Sequence, residues 1–554
     1  MLLVTDPYGS GLDRQQAYWL YNGIDAIGTR QCFDVLFPQL EGPDLDYYNA
    51  SFAFTSPCLA MTLRGTLVSE RRRKEAIKQT EADEAIAIQR LNESEALGKV
   101  WNVRGKRQTG DKCSNSEHGR HLWRPLGAPA PDQICEHCGG PRLVGQPFNP
   151  HSSVQCAKLL YDFLGLKKRY NRKTGEVTTD DEALEALARK YPEHAALLDF
   201  ILGARGLRKQ LSTLKCRLDF DGRWRACFNV GATEVGRLSS SKSPHRTGAN
   251  QQNIANKNRG IFIADPGLEF WYADLEQAES RVVAHDAQCP QDIADHNSGD
   301  THTGLARDLF PELPWDLVET GGSCFLCAGA GCRACGGSGR LDHIAAKHVA
   351  SIKLPWDEEH DYRHIAKIVR HGTNIGMSAG GIAREIHQNR KMGELLRDGY
   401  FARYPELYAR QQFIRNAIRT QGALTNPFGW TRKFLGRLWE EDTQKEGLAQ
   451  TQQSTIAIHL NLCMWRLWYD YDTRLNIGSP PSPSDPNRLW LLAQVHDALL
   501  GLRRPDDEGI LCRIKQIFET PISIRGQSVV IPAEIMIGKS WRKEEMKVWH
   551  PKQT

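Results

Sequence analysis

The chain has 554 residues, 40% hydrophobic and 25% charged, too long for one compact core and ordinary for a globular protein. Its 71 basic and 66 acidic residues leave a formal charge of +5, so any groove for a polyanion must come from local clustering. Fifteen cysteines, an odd number, argue against a secreted disulfide scaffold. The start, MLLVTDPYGSG, lacks the basic-then-apolar pattern of a signal peptide, and no stretch approaches the ~20 apolar residues of a membrane span, which points to the cytoplasm.

Along the chain, residues 1 to about 60 read as short amphipathic pieces. Val68 to Leu97, free of proline and glycine, predicts a helix with Ser69 as N-cap. Residues 101–150 are rich in Gly, Pro, Cys and His and poor in apolar periodicity, the composition of an insertion held by a metal rather than a core. Helical patterns resume at Ser153. Thr179 with Glu182 predicts a capping box, and Ala183, Leu184 and Leu187 form the apolar stripe that follows. Arg223 to Ala284 alternates strand-like and loop-like text, and Gly321 to Gly339 is a second Gly/Cys-rich island. Asp361 to Arg419 reads as helical and Trp490 to Trp541 as strand-rich.

Two acidic residues end apolar runs. In EFWYADLEQAESR, the strand-like Phe270–Ala273 delivers Asp274. In LWLLAQVHDALLGL, two apolar runs flank His496–Asp497, the pattern of a hairpin presenting a carboxylate at its tip. Brought together, two such carboxylates can hold a pair of divalent ions about 3.5–4 Å apart, and magnesium suits carboxylate and phosphate ligands. A helix cap at Asp274 and a turn at Asp497 are the alternative reading, because spacing alone does not join them. In DYRHIAKIVRHGTNIG, at 100° per residue, Arg363, Lys367, Arg370 and His371 fall within about 100° of one another, opposite Ile365, Ile368 and Val369. Such a face suits a triphosphate with its metals; a solvated basic face is the alternative.

The cysteines add two metal signals. Cys324-x2-Cys327-x4-Cys332-x2-Cys335 has the spacing of a tetrahedral structural zinc site. Cys113 with Cys135-x2-Cys138 lacks a fourth ligand, which His121 or His118 would supply, with His137 a weaker option.

These three segments resemble motifs A, B and C of the family-A DNA polymerases, in the family's order. TEVGRLSS followed by QQNI, QQSTIA and IPAEIMIGKSW resemble three further stretches of that family, and FNPHSSVQCAKLLYDFLGL, KTGEVTTDDEALEALA and LRKQLSTL resemble its thumb. The resemblance implies an α+β right hand: an exonuclease-end remnant over 1–60, a thumb over 61–215 with a zinc-ribbon-like insertion at about 105–145, a palm over 216–300 and 411–554, and fingers over 301–410 with a four-Cys insertion at about 320–340. It implies magnesium on Asp274 and Asp497, aided by the Leu275 carbonyl, with two structural zinc ions. Glu279 becomes a steric gate against ribose, Arg363 and Lys367 hold the triphosphate, and His371 and Ile375 stand where the family has aromatic residues. Arg237 and Gln453 would reach the minor groove, and His496 the primer terminus. The implied reaction is DNA synthesis on primer-template DNA from deoxynucleoside triphosphates. YNGID, Tyr21 to Asp25, resembles a single exonuclease motif, so proofreading is expected to be absent or supplied by a separate protein, and a processivity protein is a further expected partner. The compact, insertion-bearing form suggests a phage or mobile element.

Overall fold

The computed structural model describes residues 14–94, 97, 110–113, 120–123, 142–143, 148–171, 174–298, 300–315, 322–323, 340–341, 346–472 and 480–551. No helix among them is long and apolar enough to cross a membrane.

Residues 14–64 differ from the short pieces expected for residues 1 to about 60. They hold two 23-residue helices, α1 (Arg14–Leu36) and α2 (Gly42–Arg64). Internal glycines in α1 and Pro57 inside α2 hide the periodicity that a sequence reading needs. At the end of α2, Arg64 is buried and ion-paired with Asp472 at 2.8 Å, and it donates to the Leu491 carbonyl at 2.6 Å. The next helix, α3 (Glu70–Glu93), starts as expected at Ser69, whose side chain accepts from the Arg72 amide. In α4 (Asp181–Lys190) the cap is Asp180 rather than Thr179: its carboxylate accepts from the Ala183 amide. A charged acceptor one residue closer to the helix wins the position. The expected stripe of Ala183, Leu184 and Leu187 is buried against α5 (Ala195–Leu214), which also packs on α3.

The centre is a five-stranded antiparallel sheet. Its strands are β1 (Glu269–Leu275), β2 (Leu489–Val495), β3 (Ala498–Arg503), β4 (Ala533–Gly538) and β5 (Lys547–Val548), in the order β2-β3-β1-β4-β5. Every residue of β2 and β3 is buried, which is why both read as unbroken apolar runs rather than alternating ones. Gly501 is required where it stands: a Cβ there would meet the Trp271 ring at 2.5 Å. The text read as strand-rich also holds a helix, Glu508–Phe518, with Ile510, Leu511, Ile514, Ile517 and Phe518 on its buried face.

A separate apolar core lies in a helical lobe built from α6 (Ala278–Asp286), α7 (Pro290–Ser298), α8 (Thr301–Leu309), α9 (Tyr362–Asn374), α10 (Arg390–Arg403) and α11 (Pro405–Gln421). Val283, Leu305, Ile365, Val369, Leu396 and Tyr404 belong to that core. The long α12 (Glu441–Leu467) packs against α6 and α11, and buries Ile456, Leu460 and Met464 against the sheet's core, tying the two bodies together.

Candidate active site

Strand β1 leaves its last turn of sheet at Asp274, which stands opposite Ala498 on one side and Glu534 on the other. The β2–β3 turn has only two residues, His496 and Asp497, and closes with Val495 opposite Ala498. His496 takes φ +54°, the left-handed conformation that such a tight hairpin demands. The Leu275 amide donates to the Asp497 carbonyl at 3.2 Å. Asp274 and Asp497, separated by more than two hundred positions in the sequence, thus meet where β1 borders the β2–β3 turn and line one open cavity of about 240 Å³ with His496, Tyr272, Arg259 and Lys543.

The electrostatics suit a cation. Burial first, then the Asp497 charge, pushes the Asp274 carboxyl up to about 6. Glu534 adds to that push. Tyr272 is likewise raised to about 12 by burial and then by Asp274. Asp274 makes no side-chain hydrogen bond or ion pair among the described residues. A buried carboxylate raised by a second carboxylate beside it is part of a donor set that a divalent ion relieves, so the residues present fit magnesium. The sequence reading missed Glu534, Arg259 and Lys543; only the strand register, which no single segment reveals, places them here.

Asp497 has a partner. Arg237 lies 3.3 Å from its carboxylate and contacts Glu279, in the first turn of α6, more closely still. Burial raises the Glu279 carboxyl, while Arg237 pulls it back. Of the two groove-reading candidates, then, Arg237 is engaged with the acidic pair. Gln453 is half-buried on α12, one position from Gln452, which accepts from Arg410 at 3.1 Å. Leu275 is buried, and His496 is exposed at the turn.

The cationic helix is joined to this centre through α6. The Thr301 hydroxyl donates to Gln277, just before α6, at 2.8 Å. Asp300, which caps α8, is forked by Arg363 of α9 at 2.9 Å through both oxygens. Burial pushes the Asp300 carboxyl up, yet the Arg363 and Thr303 hydrogen bonds outweigh it and hold it down to about 2. Lys367 is exposed and makes no ion pair among the described residues. His371 is exposed, with its ring 5.5 Å from that of His302, a buried histidine on α8 that the sequence reading also missed. Ile375, 38% exposed, follows the last turn of α9. One expected member of the open face is elsewhere: Arg370 is fully buried and ion-paired with Asp292. Helical angle put it on the edge of the cationic stripe, but a carboxylate and the Tyr404 ring waiting in the lobe draw it inward.

Cys324, Cys327, Cys332, Cys335, Cys135, Cys138 and His118 lie outside the described residues, as do the side chains of Cys113 and His121. The short strands that flank the four-Cys island, Gly322–Ser323 and Arg340–Leu341, pair antiparallel and bring its ends together.

Comparison with known proteins points one way. The model of DNA polymerase family A matches residues 140–318. The thermostable DNA polymerase I of Thermus filiformis is 28% identical over 414 residues, covering 72% of this chain and 42% of that protein. DNA polymerase I of Pseudomonas aeruginosa is 29% identical over 300 residues, 52% of this chain and 27% of that one. That of Geobacillus stearothermophilus is 27% identical over 416 residues, 72% and 40%. The chain therefore spans less than half the length of these relatives. Among solved structures, the POL domain of Pol1 from M. smegmatis, in complex with DNA primer-template and dNTP, matches with a TM-score of 0.56 at 19% identity, over 89% of this chain and 70% of that chain, which shows a shared α+β fold.

Proposed function

From the premise that the chain resembles the polymerase portion of the family-A DNA polymerases, we propose that it is a template-directed DNA polymerase. It extends a primer 3′-end with deoxynucleotides by a two-metal mechanism. The observation that carries this is the meeting of Asp274 and Asp497 at one cavity, with the cationic helix α9 joined to it through α6.

Asp274 and Asp497 would hold two magnesium ions, with the Leu275 carbonyl assisting. Magnesium there supplies activation of the attacking oxygen and neutralisation of charge on the leaving group. The primer 3′-hydroxyl gives its proton to water, its oxygen forms a bond to the α-phosphorus, the bond from that phosphorus to the β-bridging oxygen breaks, and pyrophosphate departs. Lys367 and Arg363 bind the triphosphate oxygens, Arg363 as a planar fork and Lys367 as a compact charge. To do so Arg363 exchanges Asp300 for phosphate. Glu279 crowds the ribose 2′ position, and His371 offers an imidazole face to the sugar or base where the family has an aromatic ring. Ile375 offers no hydrogen bond to the gate. Arg237 leaves the acids and, with Gln453, reaches minor-groove acceptors shared by all correct pairs. His496 borders the primer end.

Within this reading the palm is the central sheet with α12, the fingers are the lobe around α9, and the thumb is α3 to α5. Two structural zinc ions, on Cys324, Cys327, Cys332 and Cys335 and on Cys113, Cys135, Cys138 and His121 or His118, brace the insertions. The described remainder of the exonuclease-like motif, Tyr21 and Asp25, lies on the exposed α1, and we expect the chain as given not to excise a mismatched 3′-end. A cytosolic role in replication of a phage or other mobile element, with an exonuclease or processivity protein in trans, completes the proposal. Primer extension with magnesium tests it: wild type extends and Asp497→Ala does not, whereas a wild type that adds no nucleotide ends the reading.

A further inference from the structure

Arg370 belongs to the cationic side of α9 by helical angle, yet its side chain and that of Asp292 are both 0% exposed. At 100° per residue it lies about 60° from Lys367, at the seam where the open face of α9 becomes its packed face. Asp292 of α7 clasps one guanidinium nitrogen, and the Tyr404 hydroxyl accepts from the other at 2.7 Å. The guanidinium also stands 5.1 Å from the centre of the Tyr404 ring. Tyr404, at the corner between α10 and α11, donates its own proton to Asp295 at 2.6 Å, and Asp295 takes Arg403 at 2.8 Å. One side chain of α9 is thus pinned to α7 and to the corner between α10 and α11.

Stability alone does not account for this pin. A buried ion pair roughly cancels its own desolvation, and an apolar pair of equal volume often serves as well or better. This pair is also incompletely satisfied: Arg370 Nε and Asp292 Oδ2 find no hydrogen-bond partner among the described residues. What the pair does add is direction. Apolar contacts of Ile365 and Val369 are non-directional and tolerate rotation and sliding of the helix. A guanidinium fork between a fixed carboxylate and a fixed hydroxyl does not. Lys367 and His371 lie three residues before and one after Arg370, so the rotation it sets is the rotation they share.

We propose that Arg370, held by Asp292 and Tyr404, is a positioning residue that sets the rotation of α9 and so aims Lys367 and His371 at the triphosphate of the incoming nucleotide. The inference rests on the polymerase reading above.

Its test compares wild type with the double variant Arg370→Met/Asp292→Leu, which removes both charges and keeps the bulk, and with Tyr404→Phe. The readouts are the thermal midpoint, primer-template affinity, KM and kcat for one nucleotide, and hydrogen exchange of the α9 amides. The expected result for the double variant is a near-native midpoint and DNA affinity, faster α9 exchange, and a KM raised about tenfold or more, a selective loss of nucleotide binding. Tyr404→Phe shifts KM in the same direction by a smaller factor. Native KM together with native α9 exchange in the double variant overturns the proposal, as does a loss of DNA affinity in step with KM. Should the double variant not fold, Tyr404→Phe decides by the same two readouts. A wild type that makes no DNA sinks the polymerase reading, while α9 exchange still tells whether Arg370 positions the helix.

Discussion

The central sheet and the helical lobe handle charge in opposite ways. In the lobe, Arg363, Arg370 and Arg403 each have a carboxylate partner, whereas Lys367, on the open face of α9, has none among the described residues. Around the sheet, Arg64, Arg223 and Arg503 are each paired, whereas Asp274 and its neighbour Glu534 are acids with no such partner among the described residues. An unpaired base on one body and an unpaired, pKa-shifted acid on the other are what a site looks like when its missing partners arrive with the substrate. The rigid sheet keeps the acids close despite repulsion, because its backbone ladder fixes them. The helix needs a pin to aim its cations.

The largest expected effect breaks the sheet side. Asp497→Ala is expected to lower primer-extension kcat by about 10³-fold or more, several kcal/mol of lost charge stabilisation, measured in single-turnover extension. A residual rate within tenfold of wild type contradicts it. On the lobe side, Arg370→Met alone strands Asp292 without a partner in the core and is expected to cost about 3–5 kcal/mol in urea unfolding. A loss under about 1 kcal/mol would show that the pair is not buried as described. Lys367→Ala is expected to raise nucleotide KM by about 10-fold or more while leaving DNA affinity near native; equal losses in both would place Lys367 on DNA instead.

A pH experiment sharpens the contrast with a smaller effect. Asp274 titrates near 6 when folded, above its ordinary value, so the folded state holds its proton better than the unfolded chain. Without magnesium, its contribution to stability is present at low pH and fades as pH rises through about 6. The thermal midpoint of wild type should therefore fall more between pH 5 and 7 than that of Asp274→Asn, and magnesium should recover it at pH 7. Identical profiles for the two proteins would remove the acid from that role. Smallest in rate but sharpest in kind, Glu279→Ala is expected to keep deoxynucleotide incorporation and to gain ribonucleotide incorporation; unchanged selectivity would free Glu279 from the gate.

Much of this was legible in the sequence, and the limits are instructive. Asp274 and Asp497 could be singled out because buried strands write themselves as apolar runs, and a polar residue ending such a run is conspicuous. Their meeting was not legible, since register belongs to the pairing of segments far apart. For the same reason Glu534 escaped notice until it stood opposite Asp274. Helical angle placed Lys367 and His371 on an open face but put Arg370 there too, because angle describes one helix and burial depends on its neighbours. Asp180 displaced Thr179 as a cap by a single residue, a distinction that only the hydrogen bond makes. The first two helices were hidden by glycines and a proline that the packed chain accommodates.

The most direct test is a crystal of the chain with primer-template DNA, a deoxynucleoside triphosphate and manganese in place of magnesium, read by anomalous scattering. The expected map shows metal peaks touching both Asp274 and Asp497, with the triphosphate held on the Lys367 side of α9. Peaks that leave either aspartate untouched would contradict the account at its centre.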